Sequence, residues 1–210
     1  MARRAVVLVH GLWAPAAVMW PLAVRLRAAG HEPHRFDYPG RRGTLSANAR
    51  RLAAWCTRIP GERIDFVGHS LGGLLVLRLA ADGGETRIGR VVLLGAPYAG
   101  CRTAQWARRV PGGAALLGRG IAEWLECPRP PLPAGLEIGV LAGTLPVGLG
   151  VWVHGLRRPS DGVVAVEETR LPGMRDFVTV RVAHGVMTVS RGVARQVVAF
   201  LRDGRFEHEA

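Results

Sequence analysis

Lysine is absent from this 210-residue chain: its 28 basic residues are all arginine, and against 16 acidic ones they leave a formal net charge of +12. A surplus of that size suggests an anionic partner, whether nucleic acid, anionic membrane or an acidic substrate. The arginines are spread along the chain, however, with pairs at 3 and 4, 41 and 42, 50 and 51, 108 and 109, and 157 and 158. No helix-turn-helix, zinc-finger or ribonucleoprotein signature lies among them, so no nucleic acid is expected as partner. Codon composition alone also produces all-arginine usage. Cysteine is scarce, at 56, 101 and 127. Three such residues exclude a disulfide framework, and without a CxxC pair there is no sign of a zinc or redox site. Free buried thiols are expected, with a Cys101–Cys127 bridge as the alternative.

Long apolar runs are missing too. Only five apolar residues, Ala5 to Val9, precede His10, too few for a secretory signal. No run approaches the roughly 20 residues of a membrane span. Leu145 to Leu156 is apolar but short and glycine-broken, and is expected to form a buried loop. The reading is a cytoplasmic protein. Hydrophobic residues at 49% and charged ones at 21% exclude a disordered tail or a collagen-like chain. The length favours a single domain over residues 1–210, able to bury about 70 to 75% of its unfolded surface.

Short β-branched runs alternate with longer amphipathic ones, the pattern of βαβ units and a mostly parallel sheet flanked by helices. Strands are expected at Ala5–Val9, His34–Tyr38, Arg63–Val67, Arg90–Leu94, Leu136–Ala142 and Phe177–Val182. Helices are expected at Val18–Ala29, from Leu45 to Cys56 with Thr44 or Ser46 as cap, at Leu71–Ala81 and at Val189–Leu201. The closing helix is expected to turn Val193, Val197, Phe200 and Leu201 inward. Residues 101–133 break the alternation. They carry a helix with Leu117, Ile121, Trp124 and Leu125 on one face, then four prolines, and read as an inserted cap-like segment.

The chemistry is sought where a strand, a turn and a helix crowd together, at Gly68-His69-Ser70-Leu71-Gly72-Gly73. This is a G-x-S-x-G turn in strand-turn-helix context: small residues two before and two after the serine let the backbone bend sharply and hold Oγ clear of its own chain. The helix N-terminus beneath it offers donor amides to a developing anion. A second motif, Val9-His10-Gly11-Leu12-Trp13, follows the first strand directly.

With these two motifs the sequence resembles the α/β-hydrolase family, in its lipase and esterase branch. The resemblance implies an oxyanion hole made by the backbone amides of Leu12 and Leu71, a nucleophile elbow with Gly68, His69 and Gly72 around Ser70, and His10 as a residue ordering its loop. The family order of nucleophile, acid and histidine leaves His154, His184 and His208 after Ser70. His184 follows the last strand, at the end of a parallel sheet where site residues gather, and is taken as the base. Pro159-Ser160-Asp161-Gly162-Val163-Val164 resembles the family stretch that carries the catalytic acid, so Asp161 completes the triad, with Glu167 and Glu168 as fallback acids. One departure is the stretch from Leu145 to Pro159, longer than the family's simplest loops. No metal or organic cofactor is implied, and the calcium site of some lipase relatives lacks an acidic cluster here.

The function these features imply is a serine hydrolase cleaving acyl esters, a carboxylesterase or lipase working through an acyl-enzyme, with a small acyl ester or lipid as substrate. Thioesterase, amidase or acyltransferase use of the same triad is the alternative. From another class, the alternative is a non-catalytic basic protein binding membrane or nucleic acid on a hydrolase scaffold. Trp13, Trp106, Trp124, Trp152 and Leu145 to Val153 are candidates for an acyl site. The cap pairs an apolar helix face with Arg102, Arg108, Arg109, Arg119 and Arg129, a composition suited to peripheral contact with an anionic membrane.

Overall fold

The computed structural model describes residues 4–148 and 156–208. Six strands, β1 (Ala5–Val9), β2 (Glu32–Phe36), β3 (Ile64–His69), β4 (Ile88–Leu94), β5 (Ile138–Gly143) and β6 (Asp176–Val180), form one sheet in the order β2-β1-β3-β4-β5-β6. Every pairing in that sheet is parallel, so the mostly parallel expectation becomes wholly parallel among the described residues. Parallel neighbours need long crossovers, which the helices supply. These are α1 (Trp20–Ala28), α2 (Leu45–Cys56), α3 (Leu71–Ala81), α4 (Arg102–Ala107), α5 (Gly113–Glu126), α6 (Val166–Thr169) and α7 (Arg191–Asp203). Short 3-10 turns precede α1 and α7, at Ala16–Met19 and His184–Val189.

The period-two alternation of each strand divides the core between the two faces. Val7, Val9, Phe66, Leu93 and Val140 pack with Leu52 of α2 and Leu74 and Leu75 of α3. Val6, Leu8, Val67, Val92 and Leu141 face Leu22 and Leu26 of α1 and Val193, Val197, Phe200 and Leu201 of α7. With both faces covered, central strands become continuous apolar runs, as β1 is. Edge strand β2 differs. It begins two residues before the expected start because its register, Ala5 with Glu32 through Val9 with Phe36, recruits the polar Glu32 and Pro33. A proline is tolerated there because one side of an edge strand needs no ladder donor.

Other boundaries shift for local reasons. β6 stops at Val180 because the chain turns at once, with the Val182 amide on the Val180 carbonyl at 2.8 Å. Helix α7 starts at Arg191, where Ser190 accepts from the Val193 amide as its cap. Thr44 caps α2 by accepting from Ala47, while Ser46 turns to Glu123 of α5. Residues 101–133 hold α4 and α5 between β4 and β5. Leu117, Ile121 and Trp124 are buried and Leu125 half-buried, but the helix is not continuous: Gly118 takes φ 74° and ψ 175° and kinks it. The three cysteines are free, and Cys127 is exposed rather than buried. Within the expected buried loop, Val147 is 62% exposed, and residues 149–155 lie outside the described residues. Among the described residues, no helix is long and apolar enough to cross a membrane.

Candidate active site

The carboxyl ends of adjacent strands present the motif residues to one another, as expected of a parallel sheet. Beyond β1, His10 is buried and stacks on Tyr38 with ring centroids 4.4 Å apart. The Tyr38 hydroxyl donates to the His10 carbonyl at 2.9 Å, and His10 Nδ1–H donates to the Gly11 carbonyl at 2.8 Å. Burial pushes the His10 imidazole below its ordinary range, so Nε2 stays an acceptor for the Tyr38 amide. The ring thus orders the turn that carries the Leu12 amide. The motifs did not point to Tyr38. The signal was its place two residues beyond Phe36, in register with the end of β1.

Beyond β3, Ser70 sits at φ 53° and ψ −122° as the N-cap of α3. Trp13, at φ 61°, also has a positive φ, and among the described residues these two are the non-glycine residues that do. Such a conformation costs about 1 to 3 kcal/mol and persists where the surroundings over-determine it. For Ser70 those surroundings are the Leu94 carbonyl, which accepts its amide at 2.9 Å, and helix α3 pressed onto the end of β1. A Cβ on Gly72 would lie 2.3 Å from the Val9 carbonyl oxygen, so only glycine permits that approach. Among the described residues no group accepts from the Leu12 or Leu71 amide, and both residues belong to turns facing Ser70.

Asp161 and His184 follow β5 and β6. His184 Nδ1–H donates to Asp161 Oδ2 at 2.6 Å, and its backbone amide donates to the Asp161 carbonyl at 2.9 Å. The other carboxylate oxygen accepts from the Val163 amide at 2.9 Å and the Val164 amide at 2.7 Å. Asp161 is therefore buried with both oxygens satisfied, as a buried charge requires. His69 adds a link that the G-x-S-x-G pattern does not specify. Its Nε2–H donates to the His184 carbonyl at 3.0 Å, tying the serine turn to the histidine loop. Burial, reinforced by the neighbouring His184, pushes the His69 imidazole down to about 3, so it is neutral.

The other candidates lie apart. Glu167 is exposed against Arg157, and Glu168 is buried but accepts from the Arg102 and Ala165 amides. His208 is paired with Asp176, and His154 lies outside the described residues. Ser70 and His184 both line a cavity of about 680 Å³, whose walls include Leu12, Trp13, Trp106, Leu117, Ile121 and Val147. Trp124 is absent from that lining. It is packed in the core with its indole on the Tyr98 carbonyl and Arg129 over its ring, while Trp152 lies outside the described residues. Of the cap arginines, Arg129 is thereby held inward and Arg108 pairs with Glu126. Among the described residues no group of three His, Cys, Asp or Glu side chains could hold a metal.

Comparison with known proteins bears on the family and the fold. The probable esterase PIR7A of Oryza sativa subsp. indica is 39% identical over 106 residues, a match covering 45% of this chain. The match spans about 40% of the length of that curated relative. The mature form of the Bacillus licheniformis lipase BlEst2 superposes with a TM-score of 0.78 at 19% identity, covering 96% of this chain and 91% of that one. The metagenomic carboxyl esterase MGS0156 gives 0.67 at 21% identity, covering 88% of this chain and 65% of that one. At such identities these structures speak for the fold alone. The sequence pattern of the alpha/beta hydrolase family matches residues 6–206, from β1 to just past α7, and the chain belongs to that family.

Proposed function

We propose that this chain is a serine hydrolase of carboxylesterase or lipase type, with Ser70 as nucleophile, His184 as base and Asp161 as the orienting acid. The observation that carries the reading is the 2.6 Å Asp161–His184 bond, made by a histidine that shares the wall of an apolar cavity with Ser70. With Nδ1–H committed to Asp161, Nε2 of His184 is the free acceptor and takes the Ser70 proton as Oγ attacks the ester carbonyl. The Leu12 and Leu71 amides receive the oxyanion, a contribution worth about 3 to 4 kcal/mol per donor in such sites. The imidazolium returns its proton to the departing alkoxide. Water, activated by the same histidine, then releases the acid from the acyl-enzyme.

The cavity supports an apolar acyl group. Three of its polar side chains are already used internally: Thr103 donates to the Val163 carbonyl, His69 to that of His184 and Trp13 to that of Leu116. What the wall chiefly offers an acyl group is apolar burial, at about 25 cal/mol per Å². The esterase and lipase relatives point the same way. A fluorophosphonate probe should label the wild type and leave Ser70→Ala unlabelled. On p-nitrophenyl esters from acetate to palmitate, Ser70→Ala should lose about 10⁶-fold in kcat, as other triad serines do. A wild type that is neither labelled nor active on any of these esters overturns the proposal.

A further inference from the structure

We infer that Trp13 is a positioning residue that couples the cap wall of the apolar cavity to the backbone presenting the Leu12 amide. The inference rests on the reading of Leu12 as an oxyanion donor. Three observations meet at this tryptophan. Its backbone is held in the left-handed region, directly after Leu12. Its side chain is 54% exposed at the cavity rim, so burial alone does not hold it. Its indole N–H donates to the Leu116 carbonyl of α5 at 2.8 Å, across 103 residues of sequence.

The two halves of α5 are tied down differently. Beyond the Gly118 kink, the Arg119 amide donates to the Arg41 carbonyl at 3.0 Å, and Glu123 holds Ser46 and Arg78. Before the kink, Gly113, Leu116 and Leu117 line the cavity. Among the described residues, the Trp13 indole is the hydrogen bond joining 113–117 to residues outside the cap. An acyl chain that packs against residues 113–117 therefore acts, through the indole, on the turn at Leu12. On this reading a two-carbon acyl group stops short of that wall and an eight-carbon one meets it. Chain length is thus read out in turnover as well as in binding.

The test compares wild type with Trp13→Phe, which keeps an aromatic ring and deletes the donor. The wild type is expected to turn over the octanoate ester faster than the acetate. Trp13→Phe should lose about tenfold in kcat on octanoate and about threefold or less on acetate, with KM moving less than kcat, the scale of one hydrogen bond expressed in a barrier. Amide hydrogen exchange gives a readout free of activity: it should quicken in both 10–14 and 112–118 and stay unchanged in 191–203. Quickening confined to 112–118, or an equal loss of kcat on both esters, overturns the coupling. If exchange quickens everywhere, Trp13→His, whose ring keeps an N–H, must restore the 10–14 segment, and failure to do so also overturns it. A wild type neither labelled by the fluorophosphonate nor active on any ester overturns the hydrolase reading instead, and the exchange data still decide the coupling.

Discussion

His69 occupies the variable position of the G-x-S-x-G turn, yet it is among the most constrained side chains of the site. Buried beside His184, it stays neutral until about pH 3, whereas in the unfolded chain it takes up a proton near 6.5. Between those values the unfolded state binds one more proton than the folded state, so stability falls as the pH drops through the window and is level above it. One proton corresponds to about 1.4 kcal/mol for each pH unit. His10 and His31, both lowered by burial, add to the same slope. His69→Gln keeps a donor for the His184 carbonyl and removes the titration. Urea unfolding at pH 7 and pH 4.5 should show a shallower acid dependence for the variant, by about one proton, and identical slopes would refute this account. Ser70, Asp161 and His184 could be named from the sequence because each is a chemically distinctive residue at a recognisable turn, in a fixed order. The roles of His69 and Trp13 could not, because each depends on a carbonyl more than 100 residues away, which no local pattern encodes.

The elements around the site stand closer together than side chains normally allow, and Gly72 is where this matters most. Its missing Cβ lets α3 seat against the end of β1, which fixes the separation between the Ser70–Leu71 turn and Leu12. In Gly72→Ala the new methyl would stand 2.3 Å from the Val9 oxygen and 2.4 Å from the His10 oxygen, both rigid backbone atoms. The helix must retreat. Overpacking of this kind is expected to cost about 3 kcal/mol, visible as a lowered urea midpoint with an unchanged m-value. Fluorophosphonate labelling should slow even in the fraction that remains folded, and a variant of wild-type stability and labelling rate would contradict this packing. At this scale helix α3 was legible to the residue, bounded by the serine turn before it and Asp82-Gly83 after it, and α2 nearly so, since its apolar spacing and the Thr44 cap agreed on its start. Strand β2 was misplaced by two residues because an edge strand with Glu32 and Pro33 carries no apolar signal of its own. The kink in α5 escaped notice because an isolated glycine in a helical pattern is ordinarily tolerated. What makes Gly118 a break is the Arg41 backbone, which would lie 2.5 Å from any Cβ there.

At the scale of the whole molecule, the +12 charge is the remaining feature to account for. Most of the acids sit in local pairs, such as Glu137 with Arg90 and Arg175 or Glu85 with Arg87. Arg41, Arg42, Arg109 and Arg119 are exposed, and none has an ion-pair partner among the described residues. Two electrostatic effects of salt then oppose each other. Screening weakens the surface pairs, each worth about 0 to 1 kcal/mol, and it also relieves repulsion among the surplus cations over the whole surface. With so large an imbalance the second effect should win, because repulsion acts between many charges while pairing acts locally. Raising NaCl from about 20 mM to about 0.5 M shortens the screening length from roughly 20 Å to roughly 4 Å. Stability should rise by about 1 kcal/mol, seen as an increase of about 2 to 4 °C in Tm for a chain of this size. Sulfate is unsuitable for the experiment, since it also strengthens apolar burial. Over the same range kcat/KM for an uncharged ester should stay level, because the field steers only charged ligands and the site's own interactions are buried. A Tm that falls with NaCl would mean that the local pairs outweigh the surplus. A kcat/KM that changes with it would place the arginines within reach of the reacting ester.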